Sequence, residues 1–146
     1  LKSYKLAKVF GPDDDEATLT GRAASSVEFG SDRLISSFDV SADGSLVVAA
    51  FPGIDTLRTY DALGGKPKKT ILSKKYGVDL VRFTHLSTNV IYTGRAEANE
   101  GTIRYLSLHD NAYLRYFQGH QRRVCSLEVC PVSDFFLSAA EGGDGV

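Results

Sequence analysis

The feature that most constrains this chain is an internal repeat. Ser37–Ala50, Leu80–Thr93 and Ser126–Ala139 each read as an alternating strand, a polar turn and a second apolar strand. Val40, Phe83 and Val129 fall at equivalent places, 43 and 46 residues apart. A second landmark follows the first two segments. Asp55–Asp61 and Gly101–Ser107 share a turn residue, then Thr, an apolar residue and Arg, and Thr56 and Thr102 are 46 residues apart. Asp144-Gly145-Val146 opens the same landmark in the third segment, since Asp144 lies 89 residues after Asp55, as Val129 lies 89 after Val40. Helical periodicity of useful length is absent.

A period of about 40–45 residues made of short strands is that of a WD-repeat blade. The expected fold class is all-β: a WD-repeat β-propeller, present as an N-terminal fragment of about two and a half blades. Blade one spans 32–72, with strands near 34–40, 46–51, 56–60 and 68–72. Blade two spans 73–117, with strands near 79–84, 89–93, 102–107 and 112–117. Residues 118–146 form an incomplete blade three, with strands near 123–129 and 135–140. Residues 6–10 read as a ring-closing strand, and 11–31 as an insertion or loop rich in Gly, Ser and Asp. Turns carry Gly or Pro, as at Gly44, Pro52-Gly53, Gly64-Gly65 and Pro131. The chain contains no methionine and stops where the third strand of blade three should start. Both facts suggest a processed chain or a piece of something longer, and such a fragment is expected to be poorly stable or to associate.

Composition narrows the function. The chain is 42% hydrophobic and 24% charged with net charge −1, so no global field draws it to nucleic acid or an anionic membrane. No apolar run approaches the ~20 residues of a membrane-spanning helix. Cys125 and Cys130 stand five apart in one strand-like stretch, on opposite faces, and read as buried or half-buried free thiols. Asp13–Glu16 is an acidic run without the spacing of an EF-hand loop and reads as solvated. His85 and His109 lack ligand spacing, and Gly64-Gly65-Lys66 lacks the spacing of a phosphate loop. No nucleophile–base signature is present, so neither a catalytic residue nor a cofactor or metal is assigned. The rival class is a propeller hydrolase with a channel metal, for which the inner strands offer only Asp39, Asp79 and Glu128.

Three stretches, Gly65–His85, Thr102–His120 and Pro131–Ser138, carry a more specific resemblance. The strings Ser73-Lys74-Lys75-Tyr76-Gly77 and Leu114-Arg115-Tyr116-Phe117-Gln118-Gly119-His120 are its most specific parts. They resemble the WD-repeat subunit of COMPASS-type histone H3 lysine methyltransferases, a family that also serves in protein phosphatase 1 and in cleavage and polyadenylation complexes. The resemblance implies a non-catalytic scaffold in the nucleus, with protein subunits of a methyltransferase complex as partners and phosphatase or RNA 3′-end-processing factors as the alternative. The long 11–31 segment and the glycine-rich Glu141–Gly145 depart from the family pattern, and no repeat carries a Trp-Asp dipeptide.

WD repeats also imply a structural hydrogen bond between His120, after Gly119, and the carboxylate of Asp144, with Ser138 as a candidate for the other ring nitrogen. Lys66, Lys68, Lys69, Lys74 and Lys75 form a basic cluster, read either as an import or acidic-partner signal or as a solvated hairpin edge. Lys74, Lys75, Tyr76, Arg122 and Arg123 fall on loops leading into inner strands and are the candidate partner-binding residues, suited to an acidic or phosphorylated peptide. Tyr105, Tyr113, Tyr116 and Phe117 are expected to pack between blades, since no basic groove accompanies them for stacking nucleic-acid bases.

Overall fold

The computed structural model describes residues 34–96 and 101–142. The expected ring-closing strand at 6–10, the 11–31 segment and Asp144 lie outside the described residues. Ten strands follow one another: β1 (Ser37–Val40), β2 (Leu46–Phe51), β3 (Thr56–Asp61), β4 (Pro67–Leu72), β5 (Val81–Phe83), β6 (Asn89–Thr93), β7 (Thr102–Ser107), β8 (Ala112–Gln118), β9 (Val124–Val129) and β10 (Phe136–Ala140). They form three antiparallel sheets in sequence order, β1-β2-β3-β4, β5-β6-β7-β8 and β9-β10. This is the meander that alternating apolar strands and short polar turns dictate. Among the described residues no helix is long and apolar enough to cross a membrane.

Tight turns are fastened by local side chains. Asp43 accepts from Ser41 Oγ at 2.6 Å and from the Ser45 amide at 3.1 Å, which holds its carboxyl below the usual carboxylate range. Gly44 follows with φ +70°, a conformation that costs glycine nothing.

The sheets stack face to face. The first joint buries Val48, Ala50, Leu57 and Ile71 of the first sheet against Val81, Phe83, Val90 and Leu106 of the second. The second joint buries Ile91 and Ile103 against Val124 and Leu127, with Tyr105, Phe117 and Phe136 around them. Equivalent positions show how a neighbour decides burial. Val81 and Phe83 are 0% and 4% exposed beneath the first sheet, whereas their counterparts Phe38 and Val40 are 65% and 48% exposed. Val48 and Ile91 are 0% and 2% exposed, and their counterpart Leu137 in β10 is 63% exposed.

Both blades carry a β-bulge at the same place. β3 pairs with β4 through Thr59↔Lys69 and then Tyr60↔Pro67, and β7 pairs with β8 through Tyr105↔Arg115 and then Leu106↔Tyr113. Lys68 and Leu114 are the extra residues, and each flips the alternation of its strand. The expectation that all four aromatics pack between blades is corrected as a result. Tyr105 and Phe117 do, and Phe117 meets Phe136 edge-on at 5.0 Å, but Tyr113 and Tyr116 are brought to one face and stay exposed. Cys125 is also exposed rather than buried, because it lies on the side of β9 that no described sheet covers; Cys130 is half-buried, and both thiols are free.

Burial contrast gives a direct test. Ile91→Ala should cost about 2–5 kcal/mol by leaving a cavity in a filled joint. Leu137→Ala, at the equivalent but uncovered position, should change stability by less than about 0.5 kcal/mol. Urea unfolding of both variants checks the pair.

Candidate functional site

The loop Ser73–Leu80 joins the first sheet to the second and carries the basic residues. It turns tightly: Tyr76 and Gly77 both donate to Ser73 O, at 3.1 and 2.8 Å, and Gly77 takes φ +68°. Ser73 Oγ meets Tyr92 Oη at 2.9 Å, so the turn is tied to the second sheet. Tyr76 O accepts from the amides of Arg95 and Ala96, each at 3.2 Å, which draws in the turn after β6. That approach requires Gly94, where a Cβ would stand 2.3 Å from Tyr76 O.

Lys74 and Lys75 project into solvent from this turn, and Tyr76 is half-buried. The Lys75 ammonium lies 5.1 Å and the Arg104 guanidinium 4.1 Å from the centre of the Tyr76 ring. Tyr113 and Tyr116 complete an aromatic cluster, with ring centres 5.7 and 6.4 Å from Tyr76. A hydrogen bond to Tyr116 and the neighbouring Lys75 hold the Tyr76 phenol below its ordinary range, whereas burial pushes Tyr116 up.

Arg104 is the residue that sequence reasoning missed. It is the Arg of the repeated Thr-apolar-Arg landmark, which located a strand and said nothing of where the side chain ends. It is 0% exposed, donates from Nη1 to Thr102 O at 3.1 Å, and has Nε and Nη2 without partners. Burial pulls its guanidinium below the usual value, and the ring of Tyr76 supplies part of the missing solvation. Arg58, its counterpart in the first sheet, lies 5.2 Å from the Phe51 ring centre.

Arg123 stands apart from the other candidates. Its Nε and Nη2 donate to Asp79 Oδ2 at 2.9 and 2.7 Å, and Nη1 lies 3.5 Å from Glu141. Asp79 is buried, so this ion pair fastens the loop before β5 to the loop before β9 and neutralises a carboxylate that water cannot reach. Arg122, one residue earlier, is exposed and packs beside Gly142. Gly101, in the turn before β7, abuts the carbonyl of His120, so that turn and the loop before β9 share one face. Lys74, Lys75 and Arg122 are thus solvent-facing cations, Tyr76 covers Arg104, and Arg123 is a clamp.

Elsewhere the polar groups have structural partners. His120 Nε2 lies 2.8 Å from Ser138 Oγ, while the predicted partner Asp144 lies outside the described residues. Lys69 donates to the carbonyls of Leu108 and His109, joining β4 to the turn after β7. Asp39 accepts from the Phe83 amide at 2.8 Å, and Glu128 receives Arg82 through two bonds of 2.8 and 3.3 Å. The three carboxylates weighed for a channel metal are therefore each engaged, and among the described residues no group of three metal-ligating side chains gathers. His85 contacts Ser133 O at 3.1 Å and His109 contacts Asp110 at 2.8 Å, both at turns.

Two outcomes are expected. Arg123→Ala should destabilise the chain by about 1–3 kcal/mol by stranding Asp79, while Arg122→Ala stays within about 0.5 kcal/mol, as read by urea unfolding. Lys75→Met should move the Tyr76 ionisation up toward the ordinary phenol value of 10.0, visible in an ultraviolet titration of phenolate.

No known protein-family profile matches the chain. Among individual proteins, it is 37% identical over 140 residues to WD repeat-containing protein 82 of Drosophila melanogaster, covering 96% of this chain and 38% of that one. It is 43% identical over 106 residues to Set1 complex component swd2 of Schizosaccharomyces pombe, covering 73% of this chain and 29% of the relative. It is 43% identical over 86 residues to COMPASS component SWD2 of Saccharomyces cerevisiae, covering 59% and 26%. The chain thus spans between a quarter and two-fifths of the length of these relatives. A solved structure of U3-55K superposes with a TM-score of 0.59 at 15% identity, over 74% of this chain and 31% of that one, which speaks to the fold alone. This chain is therefore part of a WD-repeat β-propeller, and its relatives include WD-repeat proteins named as components of Set1 and COMPASS complexes.

Proposed function

We propose that this chain belongs to a non-catalytic scaffold subunit of a nuclear histone H3 lysine methyltransferase complex, working by binding protein partners. The observation that carries this reading is its likeness to the Set1 and COMPASS components, at 43% identity over 106 and 86 residues. Stacked sheets hold loops still, and rigid loops bind with little ordering cost.

On this reading the contact surface is the rim of Lys74, Lys75 and Arg122, with Tyr76 as its aromatic anchor. Three solvent-facing cations beside a half-buried ring suit an acidic or phosphorylated peptide, because charge steers the encounter and the ring supplies area. Arg123 supports the rim from below through Asp79 and contributes position rather than contact.

The test is affinity purification of the full-length protein from nuclear extract, alongside a Lys74→Glu/Lys75→Glu/Arg122→Glu variant. The wild type should recover the methyltransferase and its core partners, and the variant should lose them with an unchanged melting temperature. Recovery of phosphatase or cleavage factors alone would move the protein to those complexes. Unaltered recovery by the variant would remove the rim from the mechanism.

A further inference from the structure

Arg58 and Arg104 hold the same place in the repeat, 46 residues apart, yet their guanidinium groups end differently. Arg58 is half-buried, and its Nε alone is both buried and without a partner. Arg104 is 0% exposed, with Nε and Nη2 both unpartnered and Nη1 engaged by Thr102 O at 3.1 Å. The groups that act on it electrostatically are the phenols of Tyr92, Tyr113, Tyr76 and Tyr116. Both sheets at this joint have their four strands, so the site does not lie where the third sheet stops.

Nε and Nη2 are neighbours on one edge of the planar guanidinium. Each offers an N–H bond on that edge, and the two run parallel, which is how an arginine grips a carboxylate side-on. An interior cation with this edge empty is costly, because it has lost water and gained no anion. The surroundings exclude a cationic ligand, since Arg104 and Lys75 already lie 4.1 and 5.1 Å from the Tyr76 ring centre. They also disfavour phosphate, a tetrahedral dianion that two nitrogens cannot satisfy in a dry site.

Among the rings around Arg104, Tyr76 is the movable cover. Tyr113 Oη is held by Tyr92 Oη, and Tyr92 Oη by Ser73 Oγ, each at 2.9 Å. The Tyr76 backbone is fixed through its carbonyl to Arg95 and Ala96, but its ring is half-buried and touches Lys75 and the edges of Tyr113 and Tyr116 at the surface. It can therefore turn about its own side-chain bonds while the loop stays in place. We propose that Arg104 is the receptor of a carboxylate-binding site and Tyr76 its cover: the ring swings outward, and a carboxylate of a partner protein takes Nε and Nη2 side-on. Lys74 and Lys75 steer the anion toward the opening, and the exposed rings of Tyr113 and Tyr116 flank it. This inference rests on the reading of the chain as a partner-binding subunit and narrows the partner's key group from an acidic or phosphorylated one to a carboxylate.

The probe is acetate, titrated at constant ionic strength into the full-length protein with isotope-labelled arginine and read at the side-chain Nε–H resonances by NMR. The Arg104 signal is identified by its loss in Arg104→Lys, which keeps the charge and removes the fork. Tyr76→Ala identifies it independently, because loss of the overlying ring shifts it. Acetate should move the signal saturably, and inorganic phosphate should leave it in place. Tyr76→Ala should lower the half-saturating acetate concentration by about three-fold or more, since the site no longer has to open. Acetyl-Gly-Asp-Gly-amide and acetyl-Gly-Gly-Gly carry the carboxylate on a side chain and on a chain end, and the tighter of the two names its source. An Arg104 signal indifferent to acetate in both proteins overturns the proposal, as does phosphate acting as strongly as acetate, or equal half-saturation with and without the Tyr76 ring. It is also overturned if Glu97→Gln with Glu100→Gln moves the signal in the absence of acetate, because the chain would then fill its own fork. The titration needs no partner, so its failure is distinct from a failure to recover the methyltransferase complex.

Discussion

Each sheet of this chain is apolar on both faces, and the burial of those two faces against neighbouring sheets is what the rest of the structure depends on. A half-buried sheet of a sandwich needs covering once; here the second sheet presents Val81, Phe83 and Val90 to one neighbour and Ile91 and Ile103 to the other. Burial of a Val, Leu or Ile side chain contributes about 1.5–3 kcal/mol, so a joint of this kind outweighs any single polar contact in the chain. Stability is consequently a property of adjacent sheets, as in other repeat architectures. The first sheet's outer face and the front of β10 show the converse, with large apolar side chains left in solvent where no described sheet covers them.

Polar groups set the register of what the joints hold together. Asp79–Arg123, Arg82–Glu128 and the caps from Lys69 each cross from one sheet to the next. An exposed pair such as Arg82–Glu128 adds little free energy. The buried Asp79 differs, because a carboxylate shut away from water demands its cation, and that demand fixes where the loop before β9 can lie. Arg104 presents the opposite case: a guanidinium held in the interior with two nitrogens, Nε and Nη2, unpartnered, beneath a tyrosine ring in place of a carboxylate. The ring is thereby held over the interior cation while the lysines beside it remain in solvent.

Rigidity and exposure are thus divided between neighbours in sequence. Arg122 and Arg123 are adjacent, yet one faces water and the other is locked into an ion pair. Lys69 and Lys75 belong to the same basic cluster, yet one caps carbonyls of the next sheet and the other lies over an aromatic ring at the surface. A binding rim assembled in this way has its charges presented by loops whose bases are fastened, the arrangement that keeps a recognition surface ordered before its partner arrives.

The sequence by itself determined the repeat, the all-β class, the strand order and most strand limits, because alternation and turn residues are local signals carried in every blade. It also placed His120 within reach of Ser138. It could not show which alternation survives within a strand: the bulges at Lys68 and Leu114 reset the pleat and gather Tyr113 and Tyr116 beside Tyr76. Nor could it show that Arg123 belongs to Asp79, that Arg104 is buried, or that Cys125 is exposed. Those outcomes depend on residues about 30 to 50 positions apart meeting across a joint. Only the stacking of one sheet on the next decides which side chains a neighbour covers and which charges it can reach.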